Sequence, residues 1–274
     1  MTFEHIRVEP LTPTIGAEIH GIDLRKPLDA TTFEELHRAL LDHKVIFFRD
    51  QPLTTAEHVA FARHFGELEI HPFAPHEEDS PEAMRIEHDE DHPGRENFWH
   101  SDVTWRQEPS LGSVLRAVEV PKVGGDTLFA DMVSAYEALP DALQRQISGL
   151  TAIHDFTRVF GRGMKPEQLR EMQEKYPAAH HPVVRTHPET GRKGIYVNGA
   201  FTTGIEGMKS EESESLLRKV YREAQVPEYQ CRFRWRPDSI AFWDNRSSQH
   251  YAAADYWPAR RRMVRVTIAG DRPF

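Results

Sequence analysis

The 274-residue sequence contains one cysteine, Cys231, so it cannot carry an internal disulfide framework. Such sparing use suits a reducing compartment, and a cytoplasmic protein is the expectation. No apolar run approaches membrane-spanning length, and the opening residues MTFEHIRVEP lack the charged-then-apolar layout of a secretory leader. Basic charge is also in deficit: 34 Lys and Arg stand against 43 Asp and Glu, a net charge of −9. That balance argues against polyanions, so neither nucleic acid nor a membrane is expected as a partner. Repeats and low-complexity tracts are missing too, and with no composition shift to mark a boundary, residues 1–274 read as one domain.

What is present suffices for a sizeable core, with 39% hydrophobic and 10% aromatic residues. Early on, Thr32 and Glu35 have capping-box spacing ahead of LHRALLDH, where Phe33, Leu36 and Leu40 follow a helical period. The pattern then changes to Val45, Ile46, Phe47 and Phe48, β-branched and aromatic, which reads as one buried strand. Thr54 and Glu57 repeat the capping signal before HVAFARHF, with Gly66 as a left-handed terminator. Helices are expected over residues 132–139, stopped by Pro140, and over 211–224. Short strand candidates follow in VVRTH, GIYVN, QCRFRW, SIAFWD and MVRVTIAG. The polar stretches around 77–95 and 161–175 read as surface loops. Together these predict a mainly β fold with flanking helices, a sandwich or jelly roll.

The segment FWHSDVTW sets His100 and Asp102 two residues apart among aromatic and β-branched neighbours. In an extended strand both would project from one face. The spacing alone says little, because the chain has 16 histidines and other His-x-acid pairs, such as His88 with Glu90, lie in polar surroundings. A carboxylate in an apolar setting nevertheless needs a counter-charge, from a hydrogen-bonded partner or a metal ion.

Far down the chain, SIAFWDNRSSQHYAAADYWPARRRMVRVTIAG places His250 after a strand and a turn. Its last strand puts Arg261, Met263, Arg265 and Thr267 on one face and Val264, Val266 and Ile268 on the other. A surface strand would alternate in the same way. Yet two histidines and one carboxylate on a β scaffold form the facial triad of non-haem iron(II) oxygenases, with open positions for a chelating 2-oxo acid and dioxygen. The far carboxylate of that acid calls for a planar, bidentate cation, which arginine supplies.

WHSDVTW, GGDTLF, HPVVRTHPETGRKGIYVN, FTTGI and WDNRSSQHYAAADYWPARRRMVRVTI, in this order, closely resemble the taurine dioxygenase (TauD/TfdA) family of iron(II)/2-oxoglutarate-dependent dioxygenases. The resemblance implies a double-stranded β-helix, that is, a jelly-roll core buttressed by helices, and a homodimer or homotetramer. It makes His100, Asp102 and His250 the Fe(II) ligands, with 2-oxoglutarate and O2 as co-substrates. It gives Thr127 and Arg261 the distal carboxylate of 2-oxoglutarate. Arg265, His71 and the Val103 N–H would hold the anionic group of a small organic substrate, and Phe160 and Phe201 would wall the pocket. Trp243 resembles the family's aromatic residue beside the iron, although a core tryptophan would sit there equally well.

The activity so implied is hydroxylation of a small sulfonate such as taurine at the carbon next to sulfur. Sulfite and an aldehyde are the products, with succinate and CO2 from 2-oxoglutarate. Two positions depart from the taurine enzymes: Ala74 stands where they carry a pocket tyrosine, and Glu96, or Asn97 after a one-residue shift, meets their amine-seating asparagine. An alkylsulfatase or an aryloxyalkanoate dioxygenase with a larger pocket is the alternative. A zinc hydrolase would have no use for Arg261, and a non-catalytic jelly roll would be free to lose a ligand.

Overall fold

The computed structural model describes residues 3–274. Its main feature is a nine-stranded mixed sheet whose centre runs from Val45–Phe48 through Ile240–Asp244, Gly112–Glu119 and Arg261–Ile268 to Ser80–His88. A three-stranded sheet of Gln230–Phe233, Thr127–Asp131 and Ser248–Ala252 packs across it. This is the mainly β architecture with flanking helices that the jelly-roll expectation described.

Alternation explains why the central strands carry so few polar residues. Val45 and Phe47 point between the sheets, where they meet Phe129, Phe233, Trp243 and Met263. Ile46 and Phe48 point the other way, into a second core closed by Leu36, Leu40, Val59 and Phe61 of two helices. A strand buried on both faces has no solvent side on which to place charge. The Arg261–Ile268 strand obeys the same rule, with Val264, Val266 and Ile268 under the helices and Met263 between the sheets. Its arginine face is therefore interior, and the surface-strand reading does not apply.

Local signals held where the partner lay a few residues away. Thr54 and Glu57 form both halves of a capping box ahead of the helix Thr55–Arg63. That helix stops before Gly66, which at φ +148° is not the left-handed cap expected of it. The first helix differs more: it spans Ala30–His43 and is capped by Asp29, whose carboxylate accepts from the Thr32 N–H at 2.8 Å. Thr32 lies inside it, and Glu35 is drawn off to accept the N–H groups of Glu4, His5 and Ile6 at 2.7, 3.0 and 3.1 Å. Asp is the stronger cap, and three backbone donors outbid one helix end. The helix expected over 132–139 is Met132–Glu137, and Pro140 begins a further helix, Asp141–Ile147.

Both polar stretches read as loops contain regular structure. Ser80–His88 is a nine-residue strand paired with Arg261–Ile268, and Pro166–Lys175 is a helix with proline in its first turn. The strand lacks the β-branched signal and is held by its neighbour's hydrogen bonds. Leu169 and Met172 of the helix lie against an aromatic cluster of Phe73, Trp105, Phe156 and Phe160. Among the described residues no helix is long and apolar enough to cross a membrane.

Candidate active site

His100 and His250 face each other across an isolated antiparallel bridge, with backbone hydrogen bonds of 3.1 and 2.8 Å. Directly opposed residues share a face, and the two rings lie 4.1 Å apart between centroids. Asp102 arrives differently from the expectation. The segment is not a strand: beyond the single bridge at His100 the backbone is irregular, a turn begins at Asp102, and Val103 inside it lies at φ +46°. A β-branched residue in this region is strained, at a cost of roughly 1–3 kcal/mol. The turn is held by the Asp102 N–H donating to Asn245 Oδ1 at 3.1 Å, and by Thr104, whose hydroxyl accepts from Asn198 Nδ2 at 3.1 Å.

The donor atoms of His100, Asp102 and His250 lie within 4.8 Å of one another, and all three side chains are buried. Nδ1 of His100 donates to the Phe98 carbonyl at 2.9 Å, which leaves Nε2 with its lone pair. Burial lowers the pKa of both histidines, so both are neutral imidazoles near pH 7. Burial works against ionisation of Asp102, but Arg265 and the histidines outweigh it and hold the carboxyl well below its usual range. Two neutral imidazoles and one carboxylate at this spacing fit a divalent first-row metal such as iron(II).

Beside the triad a narrow cavity is lined by Thr127, Trp243, His250, Tyr256 and Arg261. Arg261 is 4% exposed, donates through Nε to the Gly125 carbonyl at 3.3 Å, and forms no ion pair among the described residues. A buried guanidinium without a carboxylate is costly, and an anionic ligand is one way to offset that cost. Gly125 is at φ +71°, and a Cβ there would come within 3.3 Å of Arg261 Cδ. The Thr127 hydroxyl accepts from Trp235 Nε1 at 2.9 Å, leaving its hydrogen for an acceptor in the cavity. These residues fit the distal carboxylate of 2-oxoglutarate. Trp243 serves both of its readings: 1% exposed in the core, with its ring 4.7 Å from that of His250.

A larger cavity of about 610 Å³ opens on the other side of His100 and Asp102. Arg265 and His71 stand at its inner end with Val103, and Phe73, Ala74, Pro75, Met84, Ile86, Val159, Phe160 and Phe201 form an apolar wall. The Phe73 N–H donates to His71 Nδ1 at 3.3 Å, so the neutral ring carries its hydrogen on Nε2. Burial and the neighbouring Arg265 push the His71 pKa down to about 3, making it a neutral donor. Phe160 stacks on Phe73 at 5.1 Å and on Phe201 at 6.1 Å. Asn198 fixes Phe201 by accepting its N–H at 3.0 Å.

All ten residues singled out from the sequence therefore border one of these two cavities or the metal triad. Several partners had no local signal. Ser113, from a strand eleven residues on, donates to Asp102 Oδ2 at 2.8 Å. Asn245 braces the triad from inside WDNRSSQH, accepting also from Trp243 Nε1 at 2.9 Å. His88, which read as one of several solvated histidines, lines both cavities together with Glu96.

Comparison with known proteins agrees with this geometry. The family model "Taurine catabolism dioxygenase TauD, TfdA family" matches residues 7–267. An alkylsulfatase of Acinetobacter baylyi is 36% identical over 98% of this chain and 86% of its own length. The crystal structure of a taurine dioxygenase from Burkholderia xenovorans superposes with a TM-score of 0.85 at 38% identity, covering 98% of this chain and 91% of that one. AAD-2, solved with Mn(II) and N-oxalylglycine, gives 0.84 at 30% identity, covering 100% and 99%.

Proposed function

The chain belongs to the TauD, TfdA family of taurine catabolism dioxygenases, and from that premise we propose an iron(II)- and 2-oxoglutarate-dependent dioxygenase acting on a sulfate ester or sulfonate with an apolar tail longer than taurine's. The observation that carries the substrate class is the shape of the larger cavity. Its volume of about 610 Å³ falls within the roughly 300–1,000 Å³ of pockets that enclose drug-sized ligands. Beyond Arg265 and His71 one side of its wall is apolar, from Phe73 and Pro75 to Phe160 and Phe201, while Glu87, His88, Asp89 and Glu96 line the other, and Ala74 leaves room where a tyrosine would fill it. Taurine would leave most of that volume to water, whereas an alkyl tail would cover the phenylalanines.

When bound, iron(II) would activate dioxygen, the oxidant, with 2-oxoglutarate giving up two electrons and taking one oxygen atom as it becomes succinate and CO2, and the other oxygen atom entering a substrate C–H bond. The chain's part is placement. His100, Asp102 and His250 hold the metal, and Arg261 with the Thr127 hydroxyl takes the distal carboxylate of 2-oxoglutarate. Arg265, the His71 Nε2–H and the Val103 N–H offer donors to a tetrahedral oxyanion. Phe160 and Phe201 orient the tail so that the carbon next to the anionic group faces the metal. A hydroxyl on that carbon makes the product unstable, and it collapses to an aldehyde with loss of sulfate or sulfite.

The stacked Phe73, Phe160 and Phe201 favour a second reading, an aryloxyalkanoate whose ring lies among them. The test is succinate formation under air with iron(II) and ascorbate across taurine, hexyl and octyl sulfate, longer alkanesulfonates and aryloxyacetates. Sulfate, sulfite and aldehyde are measured in parallel. Coupling that rises with tail length is the expected result, and coupling strongest with taurine overturns the proposal.

A further inference from the structure

Arg261 meets no carboxylate, yet its guanidinium must be held in one orientation to grip an anion in a fork. Its support comes from across the sheet. His88 is the residue directly opposite Arg261 in the ladder with the Ser80–His88 strand, so the two side chains share a face. His88 Nε2 lies 3.3 Å from Glu96 Oε2, and its Nδ1 lies 2.9 Å from the Tyr256 hydroxyl. The Tyr256 ring in turn has the Arg261 guanidinium 5.9 Å from its centre. Because a carboxylate only accepts, Nε2 of His88 carries hydrogen toward Glu96, and its Nδ1 is bonded to the Tyr256 hydroxyl. Gly94 packs against the pair: a Cβ there would come within 2.7 Å of the Tyr256 hydroxyl and 3.2 Å of His88 Nδ1.

We propose that Glu96, His88 and Tyr256 form a positioning chain that orients Arg261 for the distal carboxylate of 2-oxoglutarate, so that two residues on the wall of the substrate cavity set co-substrate affinity. Glu96 and His88 line both cavities, whereas Tyr256 lines only the narrow one. The chain thus runs from the chamber that takes the substrate to the one that takes its co-substrate. This inference rests on the assignment of Arg261 to 2-oxoglutarate made above.

The experiment is calorimetric titration of N-oxalylglycine, an analogue that cannot be decarboxylated, into the Mn(II)-loaded full chain. The variants are Arg261→Ala, Tyr256→Phe, His88→Gln and the double variant Tyr256→Phe/His88→Gln. Tyr256→Phe keeps the ring and removes only the hydroxyl. Each of the two single chain variants is expected to weaken binding by about two- to tenfold, the worth of one hydrogen bond. The double variant loses no more than the worse single one, and Mn(II) affinity stays unchanged. Wild-type affinity in Tyr256→Phe alongside a loss in Arg261→Ala overturns the positioning chain alone, as do losses that add or that extend to Mn(II). Wild-type affinity in Arg261→Ala overturns the co-substrate assignment and the chain with it.

Discussion

Arg265 donates to Asp102 Oδ1 at 2.5 Å, so the guanidinium at the head of the larger cavity is bonded to a carboxylate of the candidate metal triad. Its other terminal nitrogen lies 3.6 Å from Met84 Sδ, the cross-strand neighbour of Arg265. Arg261, two pleat repeats away on the same face, has no such carboxylate among the described residues.

The two arginines should therefore separate in experiment. Arg265→Ala is expected to raise the substrate requirement at least tenfold, roughly the loss of one charged hydrogen bond. It should also destabilise the fold by about 3 kcal/mol by stranding Asp102. Arg261→Ala is expected to raise the 2-oxoglutarate requirement and leave substrate affinity nearly unchanged. Steady-state kinetics in both ligands with thermal denaturation would decide it, and equal effects of both variants on both ligands would end the division of labour.

Ala74→Tyr tests the cavity. A phenol there is expected to fill the space beside Phe73 and to lower kcat/KM for octyl sulfate by about tenfold or more, as steric exclusion from an apolar pocket does. A short sulfonate should be far less affected. An unchanged chain-length profile would show that the tail lies elsewhere.

Stability should fall as pH drops below neutrality. Burial holds the pKa values of His58 and His71 near 3 and that of His181 near 4, below the ordinary 6.5. Between those values and 6.5 the unfolded chain binds more protons than the folded one, so stability is complete above pH 6.5 and is lost as the pH falls toward 3. Each group contributes roughly 1 kcal/mol per pH unit within that window. Urea unfolding at pH 7.5 and 5.5 measures the slope. His58→Gln, which keeps a donor for the Val114 carbonyl, should remove one of the three contributions.

Helix capping gives a local check. Asp29→Ala is expected to cost about 1 kcal/mol, while Thr32→Ala, one turn inside, should cost only a few tenths. Glu35→Ala should cost more than either, because it frees three buried or half-buried N–H groups of the opening segment. Chemical denaturation of the three variants gives the order.

Much of this molecule was legible because its signals are short-ranged. Val45–Phe48 declares itself through four consecutive apolar residues, and Thr54 with Glu57 through a cap whose partners are three apart. The metal residues were legible mainly through the motifs WHSDVTW and SSQHYA shared with a known family, since buried histidine and aspartate also pair without a metal, as His187 and Asp244 do here. Their convergence was read for the wrong reason. An extended strand would have aligned His100 with Asp102, whereas His100 holds only an isolated bridge to His250 and Asp102 opens a turn with Val103 at positive φ. Such a turn is disfavoured for valine, and bonds to its flanks from residues distant in the chain, Asn245, Asn198, His154 and His181 among them, hold it there.

The amino-acid sequence alone determined which residues could ligate a metal, which could bind two separate anions, and that the chain would build a β sandwich around them. Tertiary structure decided everything that depends on a partner distant in the chain. Ser80–His88 is a strand because Arg261–Ile268 lies beside it, and that pairing delivers His88 to Arg261 and Met84 to Arg265. The volume left by Ala74, the turn at Val103 and the chain from Glu96 to Tyr256 follow from the same cause. Side-chain type is written at one position, but geometry belongs to pairs, and these pairs are joined only when the sheets close.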